Sequence, residues 1–325
     1  MIYDYSNIEN LFVLGDIHGE FKTLFNNIKQ RLPKTKPKKI EIDDTSEIND
    51  AYQVNDIDLD MDITLRDVYM KKNNVLDNSV LIVAGDCGFG FNKYQYYIDV
   101  LAKANEILND NNTHLLFVRG NHDDPSYFSE QKIDLSNIKC IPDYSIVKTK
   151  NNTTLCVGGA ISIDRVWRKS QEHQINKYSK NKVKKLYWDD EAPIYDESAL
   201  RAILDSGIQI DSVVTHSSTP KMYPVEKDYK YWLRIDKKLS SDVPNERETL
   251  GKIYDFLLSN GCKIKFWAYG HFHEYEMCVT SDEIFYVALP DNFTPYNINK
   301  LVNKFSEKPK VSFDDFFISN KIPLF

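Results

Sequence analysis

Histidine is scarce in this chain, with seven in 325 residues, and cysteine is scarcer, with five. The cysteines (Cys87, Cys140, Cys156, Cys262, Cys278) are odd in number and lack metal-finger spacing. That pattern argues against a disulfide framework and fits free thiols in a reducing compartment. Long apolar runs are missing, and none approaches the 18 or so residues of a membrane span. Met1-Ile2-Tyr3-Asp4 lacks the basic start and apolar core of an export signal, so the expected setting is soluble and cytoplasmic. Excess positive charge is missing too. The net charge is −7, which argues against tight nonspecific binding of long nucleic acid, whose affinity rests on phosphate contacts. No internal repeat or low-complexity linker is visible. What is present, 42% hydrophobic residues, suffices for one large α/β domain or one domain with a small addition.

Five of the seven histidines fall in short segments widely separated along the chain: Gly-Asp-Ile-His-Gly at 15–19, Gly-Asp at 85–86, Gly-Asn-His-Asp at 120–123, His216, and Gly-His-Phe-His at 270–273. Their candidate metal ligands are Asp16, His18, Asp86, Asn121, His216, His271 and His273. All offer imidazole nitrogen or hard oxygen, a shell suited to manganese, iron, zinc, nickel or magnesium rather than copper or an iron–sulfur cluster. An apolar run precedes each segment (11–14, 80–84, 115–118, 212–215, 265–269) and reads as a buried strand ending in a turn. The ligands are therefore expected at strand carboxyl ends, where α/β sheets place their sites.

The order Asp-x-His, Gly-Asp, Gly-Asn-His-Asp, His, Gly-His-x-His resembles the calcineurin-like metallophosphoesterases, from the N-terminus to about residue 290. The resemblance implies an α/β four-layer sandwich, two mixed β-sheets flanked by α-helices, with two divalent metal ions at one edge, manganese first among them. Carried over by residue, Asp16, His18, Asp86 and His273 would hold one ion, and Asp86, Asn121, His216 and His271 the other. A carboxylate such as Asp86 can bridge cations about 3.5–4 Å apart, and a hydroxide beside them becomes a nucleophile near neutral pH. His122 would give a proton to the leaving oxygen or stabilise it, work worth roughly 10²–10⁴ in rate.

One departure bears on the substrate. The serine/threonine protein phosphatases of this superfamily extend the second block as Gly-Asp-x-Val-Asp-Arg-Gly, whereas this chain reads Gly85-Asp86-Cys87-Gly88-Phe89-Gly90-Phe91. The acid that orients the catalytic histidine and the phosphate-gripping arginine are both missing there. The stretches 157–165 and 187–191 resemble a bacterial and phage branch with varied substrates. Between them, 165–185 reads as a basic loop with eight Lys or Arg against Glu172 alone. Arg165 and Arg168 are its candidates for a replacement phosphate grip, because guanidinium matches phosphate bidentately.

The expected organisation is a catalytic domain over 1–290, with an acidic insertion at about 35–75, and a tail over 291–325 packing back through its phenylalanines. Nine carboxylates at 41–62, without a Lys or Arg, exceed the whole net charge of −7. Asp56-x-Asp58-x-Asp60 is not a calcium loop, since Met61 and Asp67 stand where Gly and Glu are needed. The alternation there suggests an edge strand or a partner contact. Helices are expected over 21–32, 94–108, 198–204 and 249–258, and hairpins over 149–155 and 277–289. The functional expectation is a dinuclear phosphomonoesterase acting on a phosphorylated substrate such as a phosphoprotein, phosphopeptide or nucleotide. A second reading is a phosphodiesterase on cyclic or short oligonucleotides, and a third is a binding scaffold without catalysis.

Overall fold

Three of the apolar runs form adjacent parallel strands in one sheet, and two form adjacent parallel strands in another. In a computed structural model, which describes residues 1–33, 76–178, 184–222, 224 and 227–306, the first sheet has five strands. Its order is β12 (Tyr296–Asn297), β2 (Asn10–Leu14), β3 (Ser79–Val83), β4 (His114–Phe117), β5 (Ile138–Cys140), all parallel except β12 against β2. The second has seven, ordered β1 (Ile2–Tyr5), β6 (Ser145–Thr149), β7 (Thr153–Val157), β8 (Ser212–Thr215), β9 (Phe266–Tyr269), β11 (Phe285–Ala288), β10 (Glu276–Val279). The β6–β7 and β10–β11 pairs are the two expected hairpins.

Alternation along the strands sets the layers. Side chains two apart share a face. Val80 and Ile82 of β3, with Leu11, Val13 and Leu116, pack against Val214, Ala268, Phe285 and Val287 of the other sheet. Leu81 and Val83, with Phe12, Leu14 and Phe117, face away and meet helices. These are α1 (Phe21–Arg31), through Phe21, Leu24 and Ile28, and α2 (Tyr94–Asp110), through Tyr97, Leu101, Ala104 and Leu108. On the outer face of the seven-stranded sheet, Leu155, Val213, Trp267 and Tyr269 pack with Leu200, Leu250, Ile253 and Leu257. Leu200 belongs to α5 (Glu197–Asp205), and the other three to α7 (Leu239–Ser259). Strand β3 is buried on both faces, which is why it reads as an unbroken apolar run, Ser-Val-Leu-Ile-Val. The result is helices, sheet, sheet, helices: the expected α/β sandwich.

Other short helices are α3 (Ser126–Ser129), α6 (Tyr229–Ile235) and α8 (Ile298–Ser306). Asp196 caps α5 by accepting from Ala199 N–H at 2.9 Å. Helix α7 begins ten residues before the expected 249; its first turns are polar and contain Pro244, which hid them. The expected basic loop needs a larger correction. Residues Arg165–Tyr178 form a helix, α4, whose one buried side chain is Arg168. Past residue 290, β12 adds an edge strand to the five-stranded sheet. The acidic insertion, Lys180, Lys182, Phe313, Phe316 and Phe317 lie outside the described residues.

Candidate metal centre

All five motif segments leave the carboxyl ends of parallel strands. Asp16 and His18 follow β2, Asp86 follows β3, Asn121 follows β4, His216 follows β8, and His271 and His273 follow β9. Since β2, β3 and β4 are neighbours, as are β8 and β9, and the sheets are stacked, these ends converge at one place.

Two clusters of donor atoms result. In the first, His273 Nε2 lies 3.0 Å from Asp16 Oδ2 and 3.0 Å from His18 Nε2, which is 3.8 Å from the same carboxylate oxygen. In the second, His216 Nε2 lies 3.2 Å from Asp86 Oδ1 and 2.9 Å from Asn121 Oδ1. Asp86 stands between them, its Oδ2 3.8 Å from His18 Nδ1. Asp16–His18–His273, His18–Asp86–His122 and Asp16–Asp86–His216 are each compact enough to hold an ion. His271 lies beside these groups, its ring 5.1 Å from that of His216 and its backbone N–H donating to Asp16 Oδ1 at 3.0 Å.

The chemistry of this donor set fits cations. Asp16 and Asp86 are each 1% exposed, and the ion pairs found for them among the described residues are with imidazoles. Buried carboxylates need a positive partner. His216 Nδ1 donates to the carbonyl of Ala84 at 2.7 Å, leaving Nε2 as the nitrogen that could ligate. Yet Nε2 faces two oxygens, an arrangement that requires a proton or a cation between them. Burial opposes charge on His216, but Asp86 pushes its pKa up to about 10. Burial works against the Asp86 carboxylate, but the charge and hydrogen bond of His216 help hold its pKa well below the usual range.

The backbone is bent to make this convergence. Four of the seven candidate ligands have positive φ: His18 (45°), Asp86 (47°), His271 (71°) and His273 (55°). Each such residue costs on the order of 1–3 kcal/mol and persists where its surroundings over-determine it, commonly at functional sites. Asp123 supplies part of that constraint. Its carboxylate accepts from the backbone N–H groups of Gly120, Cys87, Gly88 and Phe89 at 2.7–3.0 Å, tying the turn after β4 to the turn after β3. Burial, then the Asp86 charge, raise its pKa to about 6 against those donors. Cys87 is no ligand: its Sγ donates to Val118 O at 3.3 Å, inside the core.

A cleft of about 430 Å³ opens over the centre, lined by Asp86, Asn121, His122, His271 and His273, with Ile163, Asp164, Lys227, Trp232 and Phe272 also on its walls. His122 reaches it with 27% of its side chain exposed, held by its backbone N–H on Asp86 Oδ1 at 2.8 Å. The two candidate arginines part company. Arg165 is paired with Asp236 at 2.6 Å and Asp242 at 2.7 Å and does not line the cleft. Arg168 donates to Asp164 Oδ1 at 2.8 Å and sets Nη2 against the edge of the His122 ring, nearest to Nε2 and 2.6 Å from Nδ1. A guanidinium has only donors, so the ring facing it is neutral. Burial, helped by Arg168, accordingly lowers the His122 pKa well below its ordinary value.

Sequence reasoning gave no role to Ser162 or Glu191, each 1% exposed. Asn121 Nδ2 donates to Ser162 Oγ at 2.8 Å, and Ser162 Oγ donates to Glu191 Oε2 at 2.5 Å. Burial, partly offset by the Ser162 bonds and Arg168, pushes the Glu191 pKa up to about 7. Both lie in the stretches 157–165 and 187–191 that resemble a branch of the family, but nothing there singles out either one. Asp123 did carry a local signal, its fixed place two residues after Asn121.

A family profile described as calcineurin-like phosphoesterase matches residues 10–275. Among solved structures, a phosphopantetheinyl hydrolase from Mycobacterium tuberculosis is similar over 90% of this chain and 96% of its own, at 12% identity and a TM-score of 0.35. No curated protein matches. Among the described residues, no helix is long and apolar enough to cross a membrane.

Proposed function

The chain belongs to the calcineurin-like phosphoesterase family, a metal-dependent phosphoester hydrolase, and from that premise we propose that it is a dinuclear phosphomonoesterase. The observation that carries this reading is His216 Nε2 aimed at two oxygens, 3.2 Å from Asp86 and 2.9 Å from Asn121, inside a buried site. Asp16, His18, Asp86 and His273 would hold one divalent ion, and Asp86, Asn121, His216 and His271 the other, with manganese the first choice. Bound there, such ions supply Lewis-acid charge for phosphoryl oxygens and lower the pKa of water toward neutrality.

The chain's own residues account for the rest. Asn121 ligates without adding negative charge, keeping the site more positive than a third carboxylate would. His122, neutral beside Arg168, offers the leaving oxygen a hydrogen bond from its ring N–H. Arg168 adds a fixed positive charge behind His122, which favours a dianionic monoester over a monoanionic diester. Its Asp164 partner keeps the guanidinium in place. Both come from outside the second block, which lacks the acid and arginine of the protein phosphatases. The 430 Å³ cleft admits a small phosphorylated group or a side chain, such as a nucleotide or phosphopeptide residue. We also propose that the acidic segment 41–62 contacts a partner and that the protein works in the cytoplasm.

The test is hydrolysis of p-nitrophenyl phosphate and bis-p-nitrophenyl phosphate by metal-stripped protein resupplied with Mn²⁺, alongside Asp86→Asn. Faster monoester turnover, lost by at least about 100-fold in Asp86→Asn, is expected. Preference for the diester would replace this reading with the phosphodiesterase. Activity on neither ester with Mn, Ni, Co, Zn or Mg would favour the scaffold.

A further inference from the structure

Asparagine is an ambiguous ligand: rotating the side chain by half a turn exchanges an oxygen that binds cations for an NH₂ group that repels them. Something must decide which end of Asn121 faces the centre. Asn121 is 2% exposed, so its protein neighbours carry most of that choice.

We infer that Ser162 and Glu191 are positioning residues for the Asn121 half of the centre, forcing the amide oxygen of Asn121 toward the ions. The Ser162 hydroxyl has one proton, and that proton is committed to Glu191 Oε2 at 2.5 Å. The Ser162 backbone N–H is committed to Oε1 of the same carboxylate at 2.9 Å. Ser162 Oγ can therefore only accept from Asn121, and it does so from Nδ2 at 2.8 Å. Reversing the amide would set two acceptors against each other at Ser162 and put NH₂ where Asn121 Oδ1 now faces His216.

The anchor is itself held from the ligand's own turn after β4. Arg119, two residues before Asn121, donates through Nη1 to the carbonyl of Glu191 at 2.7 Å and through Nη2 to Asp143 Oδ2 at 2.9 Å. Asp143 in turn accepts from Gly158 N–H at 2.7 Å. Gly159 has φ +94°, and a Cβ there would lie 2.5 Å from the Glu191 carbonyl oxygen, so only glycine lets the two backbones approach. The circuit runs from Arg119 to Glu191, to Ser162, to Asn121, and back along the chain. A device of this kind around a ligand fixes its orientation and is commonly worth 10–100-fold in metal affinity.

This inference rests on the reading of the site as a two-ion centre, and the test separates the two. Metal-stripped wild type, Ser162→Ala, Ser162→Thr, Glu191→Gln and Asp86→Asn are titrated with Mn²⁺ by calorimetry at pH 8, where Glu191 is ionised. The manganese electron paramagnetic resonance spectrum of each is also recorded. Wild type should bind two ions with the spectrum of a coupled pair. Ser162→Ala should weaken one of the two by about 10–100-fold, keep the other, and give the spectrum of an isolated ion. Glu191→Gln has the shape of the native side chain but can donate to Ser162, freeing the hydroxyl to turn toward Asn121 Oδ1; it should show the same selective loss. Ser162→Thr keeps the hydroxyl and should bind both ions. Should Ser162→Ala fail to fold, the isosteric Glu191→Gln carries the test. Two ions at wild-type affinity in Ser162→Ala or Glu191→Gln would overturn the inference while leaving the centre intact. Failure of the wild type to bind Mn²⁺, or undiminished binding by Asp86→Asn, would overturn the two-ion reading itself.

Discussion

Gly120 and Asp86 are so close that a Cβ on the first would lie 2.1 Å from Oδ1 of the second and 2.0 Å from its backbone nitrogen. The turn after β4 thus rests directly on the carboxylate between the two donor clusters. Gly120→Ala should destabilise the protein by about 3 kcal/mol or more, since neither backbone can yield in a close-packed core. It should also weaken Mn²⁺ binding. Gly207→Ala is the control: its Cβ would meet nothing within 4 Å, and its φ of +79° costs only about 1–2 kcal/mol. Urea denaturation of both variants checks this, and equal losses would sink the steric argument.

Arg165 and Arg168 lie one helical turn apart on α4 yet should behave oppositely. Arg168→Ala is expected to keep both ions and, because this buried side chain pairs with Asp164, to cost about 1–3 kcal/mol of stability, while turnover of an alkyl phosphate falls by about 10²-fold, at the low end of an acid–base contribution. Arg165→Ala should leave turnover unchanged. It breaks the pairs with Asp236 and Asp242, which are partly exposed, and so should cost about 1–2 kcal/mol. Steady-state kinetics and thermal melts on the two variants decide it; loss of turnover in Arg165→Ala would return that residue to the substrate.

His122→Ala should lower kcat by roughly 10²–10⁴ while both Mn²⁺ ions remain bound. Single-turnover kinetics with a substrate whose leaving group needs no proton should recover much of that loss. No recovery would mean that the ring's role lies elsewhere than at the leaving oxygen.

Glu191 gives a pH signature in the metal-free protein. Its pKa rises from 4.5 to about 7 on folding, through burial. The native state therefore holds a proton that the unfolded chain has lost between those values, and stability contributed by this group falls as pH rises through that window. A shift of that size corresponds to about 3 kcal/mol. Glu191→Gln removes the titration, so the stability difference between variant and wild type should move in the variant's favour by about 3 kcal/mol from pH 4.5 to 7.5. Urea melts at a series of pH values measure it, and a pH-independent difference would refute it.

The parts of this molecule that were legible in sequence are those whose physics is local. Leu11–Leu14, Val80–Ala84 and Leu115–Val118 read as buried strands because both faces are covered, and the Asp and His residues follow them within a few positions. The helices of α1 and α2 show their apolar spacing openly. What stayed hidden depends on long-range contact. Arg165–Tyr178 is too polar for periodicity to show, with Arg168 as its one buried side chain, so the helix reads as a basic loop. Arg165 and Arg168 look equivalent until Asp236, Asp242 and His122 arrive from elsewhere. Ser162 and Glu191 are 29 residues apart, and each lies far from Asn121 in sequence. No spacing rule joins them.

The centre also joins the two sheets. Asp16, Asp86 and Asn121 come from the five-stranded sheet, and His216, His271 and His273 from the seven-stranded one, with apolar packing between the layers behind them. Any ion gripped from both sides is then a rivet through the sandwich. Its binding free energy would add to that of the apolar packing in holding one sheet against the other.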